Sequence, residues 1–240
     1  MCFPLLAILT IFATSIAGIM TPFWVGSVLA VFAVADLLLP VPAPAASGGG
    51  EPATSLGETL LATAGASILG GLATLWIFEV AAAGTPFLYD DLTYHATSSA
   101  WWIQQATLSL PPFTYQGYYP HNAELMNLWF MLPLRGDSHA NLSVLLWLAL
   151  SVSSLLAIAH TFAGSRALAF FAAAGLMASP EIRFFSGSFS AGDLAATSFG
   201  LAALAFAHFE PTDDERTRFG KALLGGLAAG AAVGTKASML

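Results

Sequence analysis

Long apolar runs recur along this chain and constrain its fold more than any other feature of the sequence. A hydrocarbon core about 30 Å thick is crossed by roughly 20 helical residues. Only 9% of the 240 residues are charged, whereas 57% are hydrophobic. A soluble domain carries about 25% charged residues because its surface faces water. The sequence therefore predicts an all-α, polytopic transmembrane helical bundle with about seven spans.

The runs also divide the chain into regions. The predicted spans are residues 5–20, 23–39, 59–83, 142–162, 167–179, 194–209, and 222 onward. The first two form an N-terminal transmembrane hairpin within residues 1–39, and the Pro/Gly/Ser/Ala-rich residues 40–58 form a flexible linker. Residues 59–240 form the main transmembrane domain. Its last run reaches Leu240 without a polar tail or a stop signal, so we interpret the chain as an N-terminal fragment or a truncated product.

The positions of the basic residues predict the orientation. One set of turns carries Arg166, Arg216, Arg218 and Lys221, and the opposite side carries Arg135 and Arg183. Cytoplasmic loops are enriched in Lys and Arg. We therefore predict a multi-pass protein of the cell's inner (plasma) membrane, with a cytoplasmic N-terminus and residues 84–141 outside. The net charge of −7 says little about partners, but the lack of a basic stripe argues against a nucleic-acid partner.

The external loop, residues 84–141, is unusually rich in aromatic and titratable side chains. It holds all five Tyr, three of the six Trp and three of the five His. Loops this long are uncommon without structure of their own. We predict two helices, at residues 91–106 and 122–131, that lie along the membrane surface.

The densest chemistry in this loop is the string Y-D-D-L-T-Y-H at residues 89–95. In a helix, Asp91 and His95 share a face and Asp90 points about 100° away. Two adjacent carboxylates at a membrane surface suggest a general base, a metal ligand, or both. The alternative is a helix cap together with one solvated acid.

This string, followed by W-W and then by Y-Y-P-H-N-A-E-L-M, resembles the first external loop of bacterial GT-C glycosyltransferases. These membrane enzymes are related to protein O-mannosyltransferases and to the aminoarabinose transferase that acts on lipid A. Two later stretches fit the pattern, S-P-E-I-R-F-F-S-G-S-F-S-A-G-D-L-A-A at residues 179–196 and G-L-A-A-G-A-A-V-G-T-K-A-S-M-L at residues 226–240. The resemblance covers about residues 59–240.

The resemblance implies transfer of a sugar from a polyprenyl-phosphate donor to a lipid, glycan or protein acceptor on the outer side of the membrane. The anomeric carbon inverts, and a loop aspartate acts as general base. Asp90 aligns with that aspartate, and Asp91 is auxiliary, or is the base if the register slips by one. The cofactor stays open, and a divalent cation is one candidate.

The remaining candidate residues would bind substrate. Asp193 matches a second acidic position, where it could orient the acceptor or a metal, or cap the sixth helix. His95 could bind phosphate or pair with Asp91, and a plain structural hydrogen bond is the favoured alternative. His121 and Glu124 are candidates for packing or acceptor contacts. Lys236, together with Arg183, is predicted to contact the lipid phosphate, since an intramembrane Lys is a functional candidate unless it snorkels to the headgroups.

Two other classes of protein stay open. A membrane transporter places polar residues inside the bilayer, often on broken helices in repeated halves. Another polyprenyl-phosphate enzyme, such as an O-antigen ligase or polymerase, would use a similar donor. The sequence names neither the sugar, the acceptor nor a metal.

Overall fold

The structure is a computed structural model that describes most of the chain after the predicted linker. The described residues are 55–82, 89–112, 115–133, 135–163, 165–182, 192–211 and 213–236. The predicted hairpin within residues 1–39, the linker up to residue 54, and Arg183 lie outside the described residues.

The described residues are mostly helical and contain no strand, so the all-α prediction is confirmed. Two short elements add to the α-helices: a π-helical turn, Asp91–His95, leads into α2, and a 3-10 turn, Tyr115–Tyr118, precedes α3. The helices are α1 (Leu56–Ala82), α2 (Ala96–Gln105), α3 (Asn122–Met131), α4 (Leu142–Ala163), α5 (Arg166–Met177), α6 (Gly192–Ala207) and α7 (Glu215–Val233).

Two of the described helices are long and apolar enough to cross a membrane. They are α1, over Leu56–Val80, and α4, over Leu142–Ala159. Helices α5 and α6 are apolar but shorter. Only 11% of the apolar window of α1 is buried, so large apolar side chains such as Phe78 are exposed. An exposed apolar face of this size needs a lipid or protein cover.

Polar caps make two helices begin earlier than predicted. Helix α1 begins at Leu56 instead of residue 59, because Ser55 Oγ accepts a hydrogen bond of 3.1 Å from the N–H of Glu58. Helix α7 begins at Glu215 instead of residue 222. Its cap is Asp214, which accepts a hydrogen bond of 2.7 Å from the N–H of Thr217.

The prediction that the last helix continues to Leu240 is wrong. Helix α7 ends at Val233, and the N–H of Gly234 donates to the carbonyl of Gly230. The N–H groups of Thr235 and Lys236 then both donate to the carbonyl of Ala232, which closes the last turn. The sequence did not reveal this stop because the carbonyl of Gly234 accepts a hydrogen bond from Asn122, a residue far away in the chain.

Contacts at the helix ends fix the relative directions of the helices. Glu58, at the start of α1, accepts hydrogen bonds from Ser165 Oγ (2.9 Å) and from the N–H of Ala167 (3.1 Å) at the start of α5. At the other end, Trp76 Nε1 donates to the carbonyl of Met177 at 2.9 Å. Helices α1 and α5 therefore run parallel, as the predicted order of spans requires.

The core lies where α4 and α6 pack against each other and against the loop helix α3. The rings of Trp147 and Phe199 are fully buried, with centroids 5.3 Å apart. Residues 123–128 of α3 are buried without interruption, and α3 packs against α2, α4 and α6. Helix α3 is therefore enclosed by other helices of the chain, and the position of both loop helices along the membrane surface stays a prediction.

Candidate functional site

A buried ionic cluster joins the two halves of the external loop. Glu124, in the first turn of α3, is 3% exposed. Its Oε1 contacts Nδ1 of His95 from the π-helical turn, and its Oε2 lies 3.6 Å from Nδ1 of His121. We call these three residues the His–Glu–His cluster.

The second ring nitrogen of His121 fixes its protonation. Nε2 lies 3.1 Å from the carbonyl of Gly117, so it carries a hydrogen and donates it. In the neutral ring, Nδ1 would then turn a lone pair toward the Glu124 carboxylate. Burial opposes the charged ring, but Glu124 and the Gly117 carbonyl outweigh it and raise the pKa of His121 above 6.5.

The same contacts keep Glu124 ionised. Burial opposes its charge, but the imidazoles of His121 and His95 outweigh that effect and lower the pKa of Glu124 to about 2. The cluster is therefore a buried carboxylate facing an imidazole, that of His121, whose raised pKa favours its protonated form. Breaking such a buried pair is costly because it leaves one charge without compensation.

The two aspartates of the motif differ in exposure at the π-helical turn. The N–H of Ala96 donates to the carbonyl of Asp91, five residues back, and Thr97 Oγ1 donates to the carbonyl of Leu92 at 2.6 Å. Asp91 and His95 are buried, whereas Asp90 is exposed. π-Helical turns occur frequently at functional sites. Of the two aspartates in the motif, only Asp90 has a carboxylate that a substrate can reach.

A surface ion pair lies at the same end of the bundle. Lys236 Nζ, just after α7, contacts Asp193 Oδ1 in the first turn of α6. Both side chains are nearly half exposed. The pair brings together two predicted substrate-binding residues from separate helices.

Tyr94 links this pair to the loop motif. Burial raises the pKa of Tyr94 to about 12. Nearby charges raise the pKa further, among them the carboxylates of Asp90, Glu124 and Asp193. The charges of the exposed loop carboxylate, of the buried Glu124 and of Asp193 therefore all act on this phenol.

Asn122 holds the end of α7 against the loop. Its backbone N–H donates to the carbonyl of Gly234, and its Nδ2 donates to the carbonyl of Ala231, each at 3.2 Å. A Cβ atom at Gly234 would lie 2.6 Å from Asn122 Nδ2. Only glycine permits this approach, which sets Lys236 beside the loop.

The structure thus separates the candidate residues into two groups. Asp90, Asp193 and Lys236 lie at the surface around Tyr94, whereas Asp91, His95 and Glu124 are buried. His95 makes a buried hydrogen bond, as favoured above, but its partner is Glu124 and not Asp91. His121 and Glu124 engage each other rather than the surface.

Sequence reasoning missed two residues of this site. Tyr94 follows Asp90 by four positions, and this helical spacing was a usable signal. Asn122 gave none, because its partners lie about 110 residues later in the chain. Two further aromatic rings extend from Tyr94. The ring of Tyr119, directly after the 3-10 turn, lies against Tyr94, and the ring of Tyr115, within the turn, lies against Tyr119.

The donor set does not fit a metal ion. Within the residues that the structure describes, no three His, Cys, Asp or Glu side chains form a group that could hold one. In the His–Glu–His cluster the carboxylate faces the imidazoles directly. The chemistry proposed below therefore includes no step through a divalent cation.

Comparison with protein-family models, curated proteins and solved structures gave no match. The resemblance to GT-C glycosyltransferases thus stays a prediction from the motifs. The function proposed below rests on those motifs and on the geometry of the site.

Proposed function

We propose that the chain is a membrane-embedded glycosyltransferase of the GT-C type. It transfers a sugar from a polyprenyl-phosphate donor to an acceptor on the outer side of the membrane, with inversion. The observation that carries the proposal is the contact between Lys236 and Asp193. The charges of Asp193 and of Asp90 both raise the pKa of the Tyr94 phenol, which connects this contact with the loop motif. Three stretches that the resemblance singled out thereby contribute to one site.

The membrane setting is supported by the exposed apolar surface and by the arrangement of charge. Helices α1 and α4 have the length and hydropathy of spans. Arg166 and Arg216 lie at the starts of α5 and α7, at the opposite end from Lys236. A bundle of about seven spans with its basic turns in the cytoplasm accounts for both features. The site then faces outward.

In the proposed reaction, the acceptor hydroxyl attacks the anomeric carbon of the donor sugar. Its proton passes to Asp90, the bond from the anomeric carbon to the phosphate oxygen breaks, and the polyprenyl phosphate leaves with the electron pair. Attack opposite the leaving group inverts the anomeric configuration. A positioned carboxylate contributes roughly 10²- to 10⁴-fold through such proton transfer.

Lys236 stabilises the charge that develops on the leaving phosphate. Its ammonium is nearly half exposed, so it can reach a phosphate at the headgroup level. Asp193 holds the ammonium when no phosphate is present. The buried His–Glu–His cluster does not contact the reactants and instead positions the loop.

The transporter alternative finds less support in the helix interface. Polar side chains there bond to one another and to backbone carbonyls: Ser151 Oγ lies 2.7 Å from Ser198 Oγ, which also donates to the carbonyl of Leu194. Ser143 Oγ donates to Asn127 Oδ1 at 2.6 Å. Such pairs hold membrane helices together, so these hydroxyl and amide groups are engaged within the helix interface.

The experiment is a transfer assay on membranes that contain the chain, with a panel of radiolabelled polyprenyl-phosphate sugars. Asp90→Asn removes the proton acceptor at almost unchanged size and should lower transfer by roughly 10² or more. Asp91→Asn should be milder in rate, and the distant Glu215→Gln is the matched control. The proposal is contradicted if both aspartate variants transfer sugar at the parental rate. It is also contradicted if the unaltered chain releases polyprenyl phosphate from none of the donors in the panel.

A further inference from the structure

Three tyrosines form a continuous aromatic surface beside the proposed site. The rings of Tyr94 and Tyr119 are 6.1 Å apart and nearly perpendicular, and the rings of Tyr119 and Tyr115 repeat that geometry at 6.1 Å. Tyr119 is 47% exposed and Tyr115 is 71% exposed. We call Tyr94, Tyr119 and Tyr115 the tyrosine ladder.

The His–Glu–His cluster holds in place the two segments that carry the ladder. Tyr115 and Tyr119 belong to the 3-10 turn or follow it directly, and His121 anchors this turn through the carbonyl of Gly117. Gly117 is itself packed against Pro111, where an added Cβ would lie 3.2 Å from Cδ. Tyr94 belongs to the π-helical turn that His95 ties to Glu124. A preorganised surface binds with a smaller loss of conformational entropy.

The charges around the ladder limit what it can bind. Asp90, Glu124 and Asp193 all act on the Tyr94 phenol, and the nearby Lys236 is paired with Asp193. The carboxylates disfavour an anionic group on the ladder itself, and Lys236 is assigned above to the donor phosphate. The apolar C–H face of a pyranose ring packs well on the negative face of an aromatic ring, and its hydroxyls can donate hydrogen bonds to the Asp90 carboxylate.

We propose that the tyrosine ladder, together with Asp90, is a binding site for a neutral pyranose ring. This inference deepens the proposed function and rests on it, because the site lies where the sugar of the donor or acceptor must be held. The ladder packs against the ring face, and the exposed Asp90 carboxylate, four residues before Tyr94, accepts hydrogen bonds from its hydroxyls.

The test is saturation-transfer NMR on the whole chain in lipid nanodiscs, with methyl α-mannoside, α-glucoside, α-galactoside and N-acetylglucosaminide as probes. Ring C–H protons of at least one glycoside should receive saturation. Tyr119→Ala should weaken that binding about tenfold, the order expected for one ring contact. Tyr119→Phe keeps the ring and should bind like the parent, as should Tyr118→Ala, which removes an exposed tyrosine of the same turn outside the ladder.

Nanodiscs with and without phosphatidylglycerol separate a sugar site from a headgroup site. The proposal is overturned if no glycoside binds, if Tyr118→Ala and Tyr119→Ala act alike, or if phosphatidylglycerol displaces the glycoside. Polyprenyl-phosphate mannose that displaces the glycoside assigns the ladder to the donor sugar, and retained glycoside assigns it to the acceptor. Because this readout is binding, glycoside binding without sugar transfer would refute the proposed function alone.

Discussion

The carboxylate of Glu124 contacts Nδ1 of His95, a residue 29 positions earlier, and this contact ties the π-helical turn to α3. The same carboxylate faces His121, which holds the 3-10 turn through Gly117. One buried charge therefore fixes both segments that carry the exposed groups of the site. These groups differ in chemistry, because Asp90 is an acid and the tyrosine ladder is aromatic.

The first prediction concerns the pH dependence of stability. The pKa of Glu124, about 2 in the folded protein, lies below its ordinary value of 4.5, so its stabilisation is complete above about pH 4.5 and is lost as the pH falls toward 2. The pKa of His121 is raised above 6.5, so its stabilisation is complete below pH 6.5 and is lost as the pH rises through the folded value. The thermal midpoint in neutral detergent should therefore be highest between these limits.

Glu124→Gln tests whether this cluster causes both limbs of the stability profile, the loss at low pH and the loss at high pH. The neutral amide no longer stabilises the protonated His121, so the midpoint should fall and the profile should flatten. Glu215→Gln, an exposed acid in the first turn of α7, is the matched control and should keep the parental profile. A profile in Glu124→Gln with both limbs intact would assign them to other groups.

The second prediction concerns the docking of α7 on the loop. In Gly234→Ala, the added methyl group displaces Asn122 Nδ2 and breaks its bond to Ala231, which should cost about 1 kcal/mol in the free energy of unfolding. Gly230→Ala is the matched control in the same helix, since nothing lies within 4 Å of its added Cβ. It should be neutral or slightly stabilising. Equal stability of the two variants in a denaturant titration would remove the close approach as a constraint.

The third prediction concerns orientation. In a Cys2→Ser background, cysteines at Tyr118 and Arg216 report on opposite ends of the bundle, and both positions are exposed. A membrane-impermeant maleimide should label Tyr118→Cys in intact cells, and Arg216→Cys only after lysis. The reverse pattern would place the site in the cytoplasm and would exclude transfer on the outer side.

The sequence predicted the helices better than it predicted their contacts. Helix α4 begins at Leu142, as predicted, because its apolar run has an abrupt polar start. The different directions of Asp90 and Asp91 follow from helical spacing across the motif. These features depend on neighbouring residues alone, so a local pattern is sufficient to find them.

Tertiary contacts left no such local signal. Lys236 was predicted from its apolar surroundings, but its contact with Asp193 depends on how α6 packs against α7. The end of α7 was missed because Gly234 accepts a hydrogen bond from a distant residue, Asn122. His121 and Glu124 are three residues apart, yet their burial depends on the helices that pack around them.

The last prediction separates a phosphate-binding Lys236 from a purely structural one. Lys236→Met keeps most of the side-chain stem and removes the charge, and Asp193→Asn keeps the shape of the partner and releases the ammonium. If the pair only joins α6 to α7, both variants break the same contact and should have the same small effect, since exposed pairs contribute about 0–1 kcal/mol. If Lys236 binds the donor phosphate, the two variants should diverge. Lys236→Met should raise the donor KM about tenfold, the loss expected for one charged hydrogen bond. Asp193→Asn should leave the donor KM unchanged or lower it, because the carboxylate no longer competes with the phosphate. KM values for the polyprenyl-phosphate donor, measured at saturating acceptor, decide the matter: a parallel rise in both variants would make Lys236 a structural residue, and opposite shifts would make it a phosphate ligand.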